Sequence, residues 1–280
     1  MDDKTLRQVQ LVQLEMAKEI KRVCDTLKID YWLDGGTLLG AIRHKGFIPW
    51  DDDLDVAMKR DDYERFLREA PGQLSPAYEL LTWEKDRYYG LPFAKIQKKG
   101  TLFVEETLPK KSQNNGIFVD IMPYDLYPDD AGVCKRLKWK LYFYKRLMLS
   151  KCGYRPWKAK DYSGSPLKNV VKRSFYILLS FLSLFTSKDN IRNRYESAVK
   201  SVNTNCDGDG WYPQDGATDF GEIVIKSEWL ERLTDMPFED GELSCPEKYD
   251  KYLKAVYGDY WQLPPEEERV NRHNIKAIRL

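Results

Sequence analysis

The stretch LDGGTLLGAIRHKGFIPWDDDLDVAM, residues 33–58, decides the fold of this chain. It opens on the end of a predicted strand, turns at Gly35 and Gly36, and continues as a short predicted helix over 37–43. A second predicted strand follows at 54–58. Glycines between a strand and a helix let backbone N–H groups approach a phosphate, and a helix N-terminus favours an anion. The stretch therefore predicts a strand–helix–strand unit with an anion-binding corner.

Three aspartates, Asp51, Asp53 and Asp55, are spaced two residues apart where the second strand begins. Residues two apart in a strand face the same side, ~7 Å apart, so these carboxylates share a face if strand pairing extends that far. Neighbouring carboxylates repel one another unless a cation lies between them. Mg²⁺ prefers oxygen ligands and keeps substrate phosphates in its shell. We therefore predict Mg²⁺ or Mn²⁺ bound by Asp53 and Asp55, with Asp51 orienting these ligands.

The acidic segment has other interpretations. A solvated acidic turn is the first, and the strand context argues against it. An EF-hand shares the D-x-D-x-D pattern, but it requires glycine where this chain has Val56, and Pro49-Trp50 cannot be its incoming helix. Trp50 is expected to pack against the Pro49 turn. A glycosyltransferase with an Asp-x-Asp motif would lack the Gly-Gly-Thr entry present here.

The whole segment also resembles a known family. Gly-Gly, a spacer and Asp-x-Asp in a strand resemble the nucleotidyltransferase signature, although the spacer here is longer. The fuller stretch LDGGTLLGAIRHKGFIPWDDDLDV closely resembles the LicD family, which includes bacterial phosphocholine transferases and fukutin-like ribitol-phosphate transferases. The resemblance continues through LPFAKIQKKGT (91–101), GIFVDIMPYD (116–125) and YGDYWQLPPEEERVNRH (257–273), and is weakest over 126–205.

The resemblance implies further site residues. Asp120 would be the third metal ligand and the base for the acceptor hydroxyl, with a turn-capping acid as the alternative. The predicted substrate-binding residues are Gly35, Gly36, Thr37, Arg43, His44, Lys45, Lys95 and His273. A forked Arg contact would suit the donor pyrophosphate. A solvated turn remains the alternative for the basic group 43–45, and a surface tail remains the alternative for His273.

The implied reaction moves a phospho-alcohol group from a CDP-activated donor to a sugar hydroxyl and releases CMP. CDP-choline is the favoured donor, while ethanolamine, glycerol and ribitol phosphates stay open. The acceptor would be a cell-surface glycan or a teichoic-acid-type polymer, free or lipid-linked. The second hypothesis is a nucleotidyltransferase that transfers NMP and releases pyrophosphate. A third, a membrane-surface binding protein, leaves the acid cluster unexplained.

Composition limits the classes of partner and compartment. The chain has 280 residues, 42% of them hydrophobic and 32% charged, which indicates a folded soluble protein. Its net charge of +1 gives no global attraction to nucleic acid, so no nucleic-acid partner is expected. Five cysteines without a C-x-x-C pair argue against a disulfide framework or a zinc knuckle. The prediction is a cytoplasmic protein, with the inner face of the membrane as the alternative position.

One apolar stretch, FYILLSFLSLF at residues 175–185, tests the soluble interpretation. Eleven residues are too few to cross a bilayer, which requires ~20. A buried core helix is one interpretation. The other is an interfacial helix in peripheral membrane contact, because Lys168, Lys172 and Arg173 precede it.

The pattern as a whole predicts an α+β fold, with a nucleotidyltransferase-like mixed sheet flanked by helices and a helical insertion in the second half. A long amphipathic helix at 6–27 leads the chain. Further strands are predicted at 79–83, 93–97, 102–105, 117–122 and 222–225. Further helices are predicted at 61–70, 133–150, 167–185, 191–202 and 246–256, with 203–221 as a loop. We predict a catalytic core at 1–125, a helical insertion at 126–206 that faces the acceptor or the membrane, and a C-terminal segment at 207–280 that packs back on the core.

Overall fold

A computed structural model describes residues 1–109, 112, 115–154, 166–214, 219–271 and 273–280, with the side chains of 166–169 and 171–172 left aside. These residues form seven α-helices: Asp3–Leu27 (α1), Gly35–His44 (α2), Arg60–Glu69 (α3), Ala131–Cys152 (α4), Pro166–Leu182 (α5), Lys188–Asn205 (α6) and Tyr249–Tyr257 (α7). They also form eleven strands: Trp32–Leu33 (β1), Asp55–Lys59 (β2), Tyr78–Leu81 (β3), Ala94–Lys98 (β4), Leu102–Glu105 (β5), Phe118–Tyr127 (β6), Gly210–Pro213 (β7), Ile225–Lys226 (β8), Leu233–Phe238 (β9), Gly241–Pro246 (β10) and Ile275–Arg279 (β11). The predicted α+β class, a mixed sheet flanked by helices, is confirmed.

The strand β6 organises the main sheet. The strand order is β1-β2-β6-β4-β3, and β7 followed by β8 continues beside the second half of β6. β6 is parallel to β2 and antiparallel to β4, so Asp120 lies opposite Asp55 on one side and opposite Lys95 on the other. This register brings three distant sequence positions into one row across the sheet.

The helix α1 packs along the core, as its periodicity predicts. The Asp2 side chain accepts a hydrogen bond from the Thr5 N–H, which satisfies one of the unpaired donors of the first turn. At the other end, Lys28 in the left-handed conformation ends the helix. Most of the apolar face is buried, and two glutamines on the same side, Gln10 and Gln13, are buried with it.

Several predicted strands are present with shifted bounds, and one pairs outside the main sheet. The residues Leu102–Glu105 form β5 as predicted, but β5 pairs with β11 at the C-terminus. The prediction of a loop at 203–221 is wrong in part, because Gly210–Pro213 pairs with β6. The hairpin β9–β10 was not predicted, since β9 contains Asp235 and Pro237, which disfavour strands in isolation.

The helices α4, α5 and α6 pack on one another. Leu137 and Leu141 of α4 join a cluster with Val199 of α6, while Met148 of α4 joins another with Leu179 of α5. The predicted helices at 133–150 and 191–202 are confirmed. Among the described residues, no helix has both the length and the apolar content needed to cross a membrane.

The apolar stretch 175–185 is not a buried core helix. Only Leu179 and Ser183 within it are buried, because α5 packs against the rest of the protein on one side alone. The interpretation of a core helix is therefore wrong. The basic flank proposed at Lys168 and Lys172 lies outside the described side chains.

Candidate active site

The acidic segment 51–53 is a loop held by α1. The Gln10 Nε2 group donates to the backbone oxygen of Asp51 at 2.9 Å, and the Gln13 Nε2 group donates to that of Asp52 at 3.0 Å. The carboxylates of Asp51, Asp52 and Asp53 offer oxygens within 4.8 Å of one another, so they could hold a metal ion. The expectation that the aspartates share a strand face is wrong, because β2 begins only at Asp55.

Asp55 and Asp120 form a pair of buried carboxylates on adjacent parallel strands. Burial raises the pKa of Asp55 well above its usual value, and the charges of Asp53 and Asp120 add to this effect. Burial also raises the pKa of Asp120 to about 6, although Lys95 opposes the rise. The Asp55 Oδ1 atom is buried without a hydrogen-bond partner. A buried carboxylate oxygen with no donor beside another acid is the arrangement that a divalent cation would stabilise.

Lys95 is a buried neighbour of Asp120. Its Nζ atom lies 3.2 Å from Asp120 Oδ1 and 3.8 Å from Glu105 Oε1. The same atom lies 3.3 Å from the centroid of the Phe118 ring. Lys95 thus supplies positive charge behind Asp120, while its predicted contact with substrate stays a prediction.

The first turn of α2 lies directly against the acidic loop. The Thr37 Oγ1 atom accepts a hydrogen bond from the Asp55 N–H at 2.9 Å, which ties α2 to β2. Gly35 has φ +48°, a left-handed conformation that favours glycine. A Cβ added at Gly36 would lie 2.9 Å from Asp51 Oδ2, so only glycine lets this turn approach the loop so closely.

Replacing Gly36 by alanine should lower the rate of the reaction by roughly ten- to a hundredfold, because the added methyl group displaces the Asp51 carboxylate from the site. The fold should survive, since only a side-chain oxygen has to move. Gly72→Ala is the matched control, because a Cβ there would meet nothing within 4 Å. Steady-state kinetics and thermal melting of both variants check the prediction, and equal rates for the two would contradict it.

The C-terminal segment closes the other side of a cleft of about 660 Å³. Its wall includes Trp50, Asp53, Asp55, Tyr257, Tyr260 and Glu268. Both ends of the α2 helix contact this segment, because Tyr257 reaches the first turn and Arg43 reaches the residues after α7. The cleft therefore brings the acids, the N-terminus of α2 and a group of aromatic side chains together.

A buried polar cluster missed by the sequence analysis links α7 to α2. Tyr124 and Tyr252 both donate their hydroxyl protons to Asp34 Oδ1, at 2.8 Å in the case of Tyr124. Burial raises the pKa of each tyrosine well above its usual value, so both stay protonated as donors. Asp34 directly precedes the glycine pair and could have been noticed, whereas Tyr252 gave no sequence signal.

The basic group at 43–45 divides into three different environments. The Arg43 Nη1 group donates to the backbone oxygen of Tyr260 at 2.9 Å, and its Nε group donates to His44 Nε2 at 3.0 Å. Burial lowers the pKa of His44, and the charge of Arg43 lowers it further, so His44 accepts this hydrogen bond as a neutral ring. Lys45 is exposed and ends α2 with φ 59°. Of the three, Arg43 lines the cleft.

His273 lies against the acidic loop. Its Nδ1 atom is 2.9 Å from Asp52 Oδ1, and its ring meets the Phe118 ring edge-on. Burial lowers the pKa of His273, but the hydrogen bond to Asp52 and the charge of Asp53 outweigh it and raise the pKa to about 10. The C-terminal tail therefore folds back, as one of the two interpretations expected, and pairs Asp52 with a cation.

The sequence of this chain is similar to those of known proteins. The family description "LicD/FKTN/FKRP, nucleotidyltransferase domain" matches residues 28–167. The lipopolysaccharide cholinephosphotransferase LicD of Haemophilus influenzae is 33% identical over 280 residues, which is 98% of this chain and 97% of that protein. The ribitol 5-phosphate transferase FKRP of Mus musculus is 32% identical over 127 residues, which is 45% of this chain and 22% of FKRP. This chain therefore belongs to the LicD/FKTN/FKRP nucleotidyltransferase domain family and is an enzyme of the LicD phosphotransferase type.

Proposed function

We propose that this enzyme transfers phosphocholine from CDP-choline to a hydroxyl group of a glycan and releases CMP. The observation that carries the proposal is one cleft that combines the carboxylates of Asp51, Asp53 and Asp55, a helix N-terminus and aromatic walls. The name of the Haemophilus relative, which is similar over nearly the full length, supports choline as the transferred alcohol. A lipopolysaccharide or teichoic-acid-type glycan is the proposed class of acceptor.

Asp53, Asp55 and Asp120 are proposed to hold Mg²⁺ or Mn²⁺, with Asp51 orienting them. The unpartnered Asp55 Oδ1 and the raised pKa values of Asp55 and Asp120 fit a divalent cation. When bound, such a cation would neutralise charge on the donor pyrophosphate and on the departing CMP. All three donors are carboxylates, which is the ligand chemistry that these hard cations prefer.

The remaining roles, phosphate binding and proton transfer, are proposed for residues of the chain itself. Backbone N–H groups at Gly35, Gly36 and Thr37 are proposed to bind the donor phosphates, because they lie in the first turn of α2. The sugar oxygen attacks phosphorus, the bond from phosphorus to the CMP oxygen breaks, and the hydroxyl proton passes to Asp120. Lys95 favours this role, because its positive charge holds Asp120 closer to the ionised form.

Aromatic side chains in the cleft are the proposed site for the choline group. Trp50, Tyr257 and Tyr260 line the cleft together with the carboxylate of Glu268. Quaternary ammonium groups bind to the faces of such rings. The guanidinium carbon of Arg269 already lies 5.7 Å from the centroid of the Trp50 ring, so this ring accepts a cation within the fold itself.

Replacing Tyr257 by alanine should raise the KM for CDP-choline about two- to fivefold, because a cation–π contact at a partly exposed ring such as Tyr257 is worth about 0.5–1 kcal/mol. The same variant should use CDP-glycerol, whose alcohol carries no positive charge, as well as the unaltered enzyme does. Tyr257→Phe keeps the ring and serves as the control. Steady-state kinetics with both donors measure the difference, and an equal loss with CDP-choline and CDP-glycerol would argue against a cage at Tyr257.

The donor can be identified without knowing the acceptor. Thermal stability is measured with Mg²⁺ and each of CDP-choline, CDP-ethanolamine, CDP-glycerol, CDP-ribitol, CMP and the four NTPs. A ligand at ~100 times its Kd adds roughly 2.7 kcal/mol, which gives a visible shift. We expect the largest shift with CDP-choline. Shifts with NTPs alone, together with pyrophosphate release, would overturn the proposal in favour of nucleotidyl transfer.

The proposal also divides the chain into a catalytic core, a helical insertion and a C-terminal segment. Residues 1–125 form the proposed catalytic core, and 207–280 form the segment that closes the cleft. Residues 126–206 are the proposed insertion on the acceptor side. Support comes from the three helices α4, α5 and α6, which lie within that range and pack on one another in two hydrophobic clusters; Tyr212 of β7 joins the second cluster.

A further inference from the structure

The helix α5 and the turn after it carry an apolar stripe on their outer side. Ile177, Phe181 and Phe185 are 63%, 57% and 75% exposed. Helical spacing of three and four residues places their exposed neighbours on the same side: Val170, Leu178, Leu182 and Leu184. The Phe181 and Phe185 rings lie 5.3 Å apart, so the stripe is contiguous at its C-terminal end.

The inner side of α5 already packs against α4. Leu179 is buried in a cluster with Leu147 and Met148 of α4, and Phe175 packs against that cluster. When one apolar side of a helix is packed and the other is exposed, the exposed side is expected to contact another apolar surface. An exposed patch of this kind marks an interaction surface. The outer stripe is therefore available to a partner that the described part of the chain does not provide.

The net charge of the segment that contains the stripe indicates the kind of partner. Residues 131–187 contain thirteen Lys and Arg and a single acid, Asp161, a net charge of +12 in a chain whose total is +1. The remainder of the chain consequently carries −11. Lys135, Lys138 and Arg173 are among the exposed cations of this segment, and Trp139 on α4 is 67% exposed. A segment rich in basic residues that also exposes Trp, Phe and Leu has the composition of one that binds anionic lipid.

We propose that the exposed side of α5 docks on an anionic membrane surface, with the outer stripe of α5 entering the lipid interface and exposed basic side chains of residues 131–187 meeting the headgroups. A second copy of this chain is the poorer occupant, because a symmetric contact would bring two segments of +12 charge together. Docking of this kind needs no nucleotide or metal. The proposal is therefore independent of the proposed transfer reaction.

Sedimentation with vesicles tests the docking. The full chain should co-sediment with vesicles of phosphatidylcholine mixed with phosphatidylglycerol, and roughly tenfold more weakly with phosphatidylcholine alone. High salt should weaken the anionic binding, because it screens the headgroup contacts. Absence of binding to the anionic vesicles would overturn the proposal, and so would equal binding to both vesicle types.

Two surface variants separate the apolar and the charged contributions. The triple variant Ile177→Ser/Phe181→Ser/Phe185→Ser should lose at least about tenfold in vesicle affinity, since each replaced side chain is exposed and its loss leaves the core intact. Lys135→Glu/Lys138→Glu should weaken binding to anionic vesicles only. Leu11→Ser, at a 44% exposed position on α1, is the control that should bind normally. A dimer in analytical ultracentrifugation that only the triple variant abolishes would assign the stripe to self-association and overturn membrane docking.

Discussion

Replacing Asp55 by asparagine should lower the rate of transfer by about a thousandfold while leaving the metal-free protein at least as stable as before. The rate falls because asparagine removes a negative ligand from the proposed metal site. Stability is kept because burial and the charges of Asp53 and Asp120 raise the pKa of Asp55 in the folded state. An acid whose folded pKa is raised costs stability once the pH exceeds its unfolded pKa, and neutral asparagine removes that cost at neutral pH.

The measurement combines single-substrate kinetics with thermal melting, each with and without Mg²⁺. Mg²⁺ should raise the melting temperature of the unaltered protein and should do so much less in Asp55→Asn. Asp62→Asn is the matched control, because burial also raises the pKa of this carboxyl group, which lies on α3 away from the cleft. Near-normal turnover of Asp55→Asn, or an equal loss in Asp62→Asn, would remove Asp55 from the proposed metal site.

The acids at the centre of the site could be predicted because the signal is local. Gly35, Gly36 and the aspartates lie within one continuous stretch, although only Asp55 of these aspartates belongs to a strand. Asp120 is 65 positions after Asp55. Its sequence context predicted a strand but did not show which strand lies beside it. The parallel register of β2 and β6 then places Asp120 opposite Asp55, which completes the predicted pair.

The contacts that α7 and α1 make with the site could not be predicted, because they join residues that are far apart in the sequence. Tyr252 lies more than two hundred positions from Asp34, and the hydrogen bond between them exists only once α7 packs near α2. Gln10 and Gln13 look like solvent-facing residues of an amphipathic helix, yet both are buried and hold the acidic loop. In such cases a polar residue can be buried because a distant backbone oxygen accepts a hydrogen bond from it.

The apolar stretch 175–185 shows the opposite failure. Its composition fits a core helix and an interfacial helix equally well, and periodicity alone cannot separate them. The structure excludes the buried core helix, because α5 packs against α4 on one side and exposes Ile177 and Phe181 on the other. Hydrophobicity in a sequence therefore predicts that a surface will be covered, without showing what covers it.

A second large effect is expected at the Arg60–Asp125 ion pair, which fastens the ends of the two strands that carry the acids. Arg60 follows β2 and donates to Asp125 on β6 through two hydrogen bonds, of 2.8 Å and 2.5 Å. Asn203 of α6 donates to the same carboxylate at 2.6 Å. Asp125 is fully buried and the Arg60 side chain is 12% exposed. The pair thus joins the sheet, α3 and the helical half of the chain.

Replacing Asp125 by alanine should lower the free energy of unfolding by about 3–5 kcal/mol, because Arg60 would be left buried without its counter-charge. The double variant Arg60→Met/Asp125→Leu should recover at least about half of the loss, since apolar side chains of similar size can replace a buried pair. Urea denaturation measures all three proteins. Asp240→Ala removes the exposed Lys18–Asp240 pair and is the control, with a much smaller expected change because solvent screens that pair. A small loss in Asp125→Ala, comparable to the control, would show that water reaches Arg60 and that the pair does not hold β2 and β6 together.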